Sequence, residues 1–204
     1  MLTIAAITFA AIFIVELPDK TFFAALMLAT RYKALNVWIG VSSAFAVQTV
    51  VAVALGSIIA KLPSHWVHLV AGLGFAIGAI ILLREGLSSR RGSDDETGEE
   101  YAEKAKPVSG VRQITASFLI LFVAEWGDLS QILTAVFVSR YHQAGHFSHE
   151  VAVFIGALGA LVTVSGLAVL LGKQMLRFLR LHVLHFTGAT LCAVLATWTL
   201  ATAF

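Results

Sequence analysis

Four stretches of this chain, 34–60, 62–83, 151–172 and 181–204, contain no Asp, Glu, Lys or Arg. A helix rises 1.5 Å per residue, so about 20 apolar residues carry it across the hydrocarbon core of a bilayer. Each run meets that length, and the chain reads as an integral membrane protein with the lipid bilayer as its main partner. Composition agrees: 58% of residues are hydrophobic and 13% charged, against about 25% charged in a typical soluble chain. A soluble enzyme, a secreted disulfide scaffold and a nucleic-acid-binding module are excluded as primary readings. Cys192 is the one cysteine and lies in an apolar run, so neither an internal disulfide nor a cysteine metal cluster is expected. With Met27 and Met175 it reads as a packing residue.

Two further spans emerge when internal charges are tolerated. Residues 2–30 are apolar apart from Glu16, Asp19 and Lys20, and 113–139 apart from Glu125 and Asp128. The expectation is an all-α membrane fold of six helices near 2–30, 35–60, 65–83, 113–139, 151–172 and 181–203. The first stretch has no basic leader and is followed by Lys20, Arg31 and Lys33, so it reads as an uncleaved span. Arg31, Lys33, the six basic residues between Arg84 and Arg112, and Lys173, Arg177 and Arg180 fall on one side, 11 of the 14 in the chain. Lys61 and Arg140 fall on the other. The excess marks the cytoplasmic side and puts both termini opposite it. Residues 84–112 form the one long hydrophilic segment, a charged cytoplasmic linker between domains 1–83 and 113–204.

Those two parts are repeats. Val15-Glu16-Leu17-Pro18-Asp19-Lys20-Thr21 matches Ala124-Glu125-Trp126-Gly127-Asp128-Leu129-Ser130 at an offset of 109. Trp38-Ile39-Gly40, Gly56 and Gly72 match Phe154-Ile155-Gly156, Gly172 and Gly188 at an offset of 116. Three spans is an odd number, so the second repeat is expected inverted relative to the first. Inverted three-helix repeats are an architecture of secondary transporters, which bind substrate near the midplane between the repeats.

The buried acids point the same way. A carboxylate at mid-membrane costs roughly 2.5–3.5 kcal/mol on insertion scales, so such groups face a cavity or a partner and carry function. Glu-x-x-Asp spacing sets both acids of each motif on one helical face. Pro18 cannot donate to the carbonyl of Ile14, and Gly127 weakens the equivalent turn. Broken helices beside acids expose carbonyls that can ligate a cation. Glu16, Asp19, Glu125 and Asp128 are therefore the expected metal ligands. Thr21, Ser130, Gln131, Gln48, Thr49 and Ser165 are neutral oxygens nearby. An all-oxygen set suits Ca²⁺, Mn²⁺ or Mg²⁺. The four acids and Lys20 sum to −3 if all ionise, which favours exchange of protons for a divalent cation. Lys20 is read as balancing charge beside Asp19. His142, His146 and His149 cluster in the loop before the fifth span and read as solvated loop residues. Trp38, Trp66, Trp126 and Trp198 read as interface anchors or packing, with Trp126 beside the site.

Glu16-Leu17-Pro18-Asp19-Lys20-Thr21 and Glu125-Trp126-Gly127-Asp128-Leu129-Ser130 together resemble the Gdt-one family of calcium/manganese:proton exchangers, within the wider lysine-exporter superfamily. That family carries two copies of Glu-φ-Gly-Asp-(Lys/Arg)-(Thr/Ser), one per repeat, and the resemblance covers essentially the whole chain. Pro18 stands at the first-motif glycine and Leu129 at the second-motif basic position. The resemblance implies that the four acids bind and translocate the ion, with Thr21, Ser130 and Gln131 nearby. The function expected is export of a divalent cation, Mn²⁺ first and Ca²⁺ second, against protons. No enzyme activity and no resident cofactor are expected, one copy of the chain could suffice with a homo-oligomer as the alternative, and a prokaryotic cell would carry it in the plasma membrane. The rivals are an exporter of an amino acid or Cd²⁺, and an intramembrane aspartyl protease built on Asp19 and Asp128. The protease leaves the repeated Glu unexplained.

Overall fold

The computed structural model describes residues 1–17, 20–89, 107–142, 148–178 and 181–201. Among the described residues all regular structure is helical: α1 (Leu2–Glu16), α2 (Lys20–Arg31), α3 (Ala34–Ile59), α4 (Ser64–Ser89), α5 (Val111–Ala124), α6 (Leu129–Tyr141), α7 (Ser148–Phe178) and α8 (Leu181–Ala201). In α3, α4 and α7 the charge-free runs give helices long and apolar enough to cross a membrane on their own. Two pairs reach span length only when joined across a bend, α1 with α2 at 70° and α5 with α6 at 72°. The described residues therefore hold three to five candidate spans. In α8 the described apolar stretch, His185–Ala201, is shorter than a span.

A span weakened at Gly127 was expected over 113–139 with both acids on one helical face; the structure has two helices, with Glu125 at the end of one and Asp128 capping the next. The cause is local. Gly127 has a φ of +79°, a left-handed conformation that a Cβ disfavours and glycine accepts. The first helix stops at Ala124 and the second restarts at Leu129.

Contacts across the two parts of the chain fall on equivalent residues. A Cβ added at Gly40 of α3 would lie 2.4 Å from the carbonyl oxygen of Ile114 and 2.9 Å from Cβ of Ser117 on α5. One added at Gly156 of α7 would lie 2.4 Å from the carbonyl oxygen of Ala5 and 3.0 Å from Cβ of Thr8 on α1. Gly40 and Gly156 are the pair related by 116; Ile114 and Ser117 are Ala5 and Thr8 shifted by 109. Small residues let these backbones approach closely, the usual means of helix association where no hydrophobic drive exists between spans.

The same contacts give helix directions. Gly40 meets Ile114 and Gln48 meets Phe122, so α3 and α5 run parallel. Gly156 meets Ala5 and Gly159 meets Phe9, so α7 and α1 also run parallel. In contrast, Gly72 meets Leu200 while Gly86 meets His185, which makes α4 and α8 antiparallel. Trp38 donates to the carbonyl of Val162 at 3.0 Å and a groove joins Ala46 to Leu158, so α3 and α7 are antiparallel too. At one end, Gln113 ties α5 to α3. Its Oε1 accepts from Asn36 Nδ2 at 2.8 Å and its Nε2 donates to the carbonyl of Val108 at 3.0 Å.

Candidate cation site

The break between α5 and α6 is built by hydrogen bonds rather than by loose chain. Asp128 is the N-cap of α6, with extended backbone (φ −66°, ψ 174°). Its Oδ1 accepts from the backbone N–H of Gln131 at 3.0 Å, and its Oδ2 accepts from Ser130 Oγ at 2.7 Å. Both carboxylate oxygens are thus held toward the first turn of α6. Negative charge is also favoured at the N-terminus of a helix. Gln131 bridges the break: its Nε2 donates to the carbonyl of Glu125 at 3.0 Å and its Oε1 accepts from Gly127 N–H at 3.2 Å. Both ends of that amide are engaged, so Gln131 holds the turn together. Glu125 itself is buried, 4% exposed.

From α3, Gln48 reaches the same break. It is 2% exposed, and its Nε2 donates to the carbonyl of Phe122 at 3.2 Å. Thr49 and Ser165, expected as neutral ligands and related by 116, are buried and donate to their own helices, to Phe45 and Val162. Their donors are used, and their oxygens keep acceptor capacity. Glu16 closes α1 at 1% exposure, and Thr21 is buried in the first turn of α2. Lys20 opens α2, while Pro18 and Asp19 lie outside the described residues. Among the described residues no three of His, Cys, Asp and Glu group so as to hold a metal. Beside the break, a cavity of about 450 Å³ between α3, α4 and α6 reaches Gly127 and Gln131, with otherwise apolar walls such as Leu55 and Leu73.

Sequence reasoning missed three features here. Asp128 is a helix cap as well as an acid, a role that Asp ahead of an apolar helix signals directly. Gln131 is a splint, and no pattern reveals which atoms its amide meets. His142 and His149 are not simple loop residues. His142 Nδ1 lies 2.6 Å from Glu150 Oε1, and His149 Nδ1 lies 3.0 Å from the carbonyl of Tyr141, tying the end of α6 to the start of α7. His146 lies outside the described residues. Trp126 flanks the break as expected, 4.9 Å from the Phe122 ring, while Trp38 packs against α7 through its indole N–H.

These features define a class first: a polytopic helical membrane protein whose buried carboxylates sit at the ends of broken helices. Residues 4–90 and 113–204 match the profile of a family described as divalent cation/proton antiporter GDT1. The chain belongs to that family, the one its paired motifs resemble, and it is a family of transporters rather than enzymes. The chain is 32% identical to protein PAM71 of the Arabidopsis thaliana chloroplast, over 96% of this chain and 56% of that protein. It is 31% identical to the GDT1-like protein sll0615 of Synechocystis, over 71% and 76% of the two chains. Similarity to the chloroplastic GDT1-like protein 1 of Oryza sativa subsp. indica is 28%, over 96% and 61%. The chain thus spans a little over half the length of the plant relatives. No solved structure matches it.

Proposed function

We propose that this chain is a secondary transporter that carries a divalent cation, Mn²⁺ before Ca²⁺, out of the cytoplasm in exchange for protons. Cation and protons are its substrates. In this reading Glu16, Asp19, Glu125 and Asp128 form a shared oxygen site, Thr21 and Ser130 add hydroxyls, and Lys20 balances charge. The observation that carries it is the second break, where buried Glu125 and helix-capping Asp128 flank a left-handed glycine in a member of an antiporter family.

Six spans in two inverted three-helix repeats would bring the two motifs together. The matched approaches of Gly40 and Gly156 and the antiparallel courses of α3 with α7 and of α4 with α8 support that arrangement. Four carboxylates in a low-dielectric site cannot all stay ionised without a counter-charge, so a cation arriving displaces protons and protons returning release it. Rocking of one repeat against the other would expose the site alternately to each side.

Proteoliposomes holding a pH-sensitive dye test this. Adding Mn²⁺ or Ca²⁺ outside should drive proton movement that ionophore-free empty vesicles lack. Glu16→Gln and Glu125→Gln should each abolish it while the purified protein stays folded. Silence with both cations in the wild type would end the antiporter reading.

A further inference from the structure

We infer that Gln48 is a positioning residue of the ion site, acting through its amide N–H on the broken helix rather than as an oxygen ligand. The inference rests on the transport reading above and adds to it the role of one residue of α3.

An α-helix leaves its last carbonyls without backbone donors. In α5 the last rung is Glu125 N–H to Leu121 O at 2.9 Å. The next rung would be Trp126 N–H to Phe122 O, which is not made among the described residues. Gln48 fills it, its Nε2 lying 3.2 Å from that oxygen. The equivalent rung in the first half is made by backbone alone: Leu17 N–H, which is Trp126 shifted by 109, donates to Phe13 O at 3.0 Å. Gln48 shifted by 116 is Val164, which has no donor. The amide therefore appears only where the rung is missing.

Three residues past Phe122 stands Glu125. Gln48 grips the chain before it, and Gln131 grips the carbonyl of Glu125 and the N–H of Gly127 behind it. Two amides from different helices thus fix the backbone that aims one proposed ligand. The atom that Gln48 turns to the Phe122 carbonyl is its nitrogen, which donates to oxygen and does not bind a hard cation; the Gln48→Glu comparison below separates this contact from ligation through Oε1.

Two substitutions test this by sign. Gln48→Met keeps volume and removes the donor; the KM for Mn²⁺ in proteoliposomes should rise about ten-fold, the scale of one buried bond left unmade. Gln48→Glu can donate only when protonated. Measured as a ratio to wild type, its flux at limiting Mn²⁺ should fall as pH rises, because the ionised side chain loses its donor and repels the Phe122 carbonyl. An oxygen ligand would behave oppositely, since an added carboxylate binds Mn²⁺ more tightly once ionised; a ratio that climbs with pH overturns the inference. An unchanged KM in Gln48→Met does so too. A wild type that moves neither cation nor protons ends the transport reading instead. Trp126 emission, read with Trp38, Trp66 and Trp198 replaced by Phe, then decides the splint: Gln48→Met should shift it and Gln48→Glu should shift it only at high pH, and an unmoved band overturns the inference.

Discussion

Replacing Gly40 or Gly156 with Ala tests the frame on which the site rests. The new methyl would lie 2.4 Å from a backbone oxygen in both cases, Ile114 O or Ala5 O, with a second contact of 2.9 or 3.0 Å to a side-chain Cβ. Ordinary carbon contacts lie at about 3.5–4.0 Å, so each helix pair must part by about 1 Å. No rotamer relieves this, because the obstacle is backbone. A radial gap of that size forfeits about a quarter to a half of each dispersion contact along the seam, and overpacking costs about 1–3 kcal/mol. Helix propensity returns at most about 1 kcal/mol for Gly to Ala. Each variant should therefore lose about 1–2 kcal/mol, by equal amounts, in mixed-micelle unfolding followed by circular dichroism. Gly159→Ala is the control: its methyl meets only the Phe9 ring at 3.5 Å, and it should match or exceed wild type. Loss at one of the two sites alone would break the equivalence of the two contacts, and wild-type behaviour at both would refute the close approach itself.

Gly127→Ala probes backbone conformation without a clash, since nothing lies within 4 Å of its Cβ position and φ is +79°; it should cost about 1–2 kcal/mol in the same unfolding measurement, and Gly127→Asn less. Glu150→Ala removes the partner of His142 at the α6–α7 junction, where Glu150 is 5% exposed, and should cost about 1–3 kcal/mol. His142→Ala combined with it should add little, a non-additivity that a double-mutant cycle reads directly.

The spans in α3, α4 and α7 were legible because charge is the costliest thing to place in lipid, and its absence from those runs leaves few readings. The place of the second break was legible as well, since Glu125, Gly127 and Asp128 fall together in an otherwise apolar segment. Its shape was not. Sequence marks glycine as permissive, but the 72° bend depends on bonds made by Asp128, Ser130 and Gln131 after the helix stops. Gln48 illustrates the limit best. Composition shows a polar residue inside a span and suggests a ligand, yet an amide has an oxygen end and a nitrogen end, and only packing shows that the nitrogen end meets Phe122. The His142–Glu150 pair was hidden for a related reason: it closes across a loop, between residues that no helical spacing relates.

Repeat equivalence holds where backbones touch and fails where polar groups meet. Gly40 with Ser117 and Gly156 with Thr8 follow the offsets closely, because two helices pressed together tolerate only small residues and drift there is penalised at once. At the breaks the halves diverge: Leu129 stands for Lys20, Trp126 for Leu17, and Gln48 has only Val164 as its counterpart. The backbone rung missing at Phe122 is replaced by an amide from α3, whereas the rung at Phe13 is made by Leu17 N–H. On the transport reading proposed above, two halves rocking about a common site would gain from this division. The frame would then be alike on both sides, so that one motion serves two directions, while the turns carrying the proposed ligands differ in charge and rigidity.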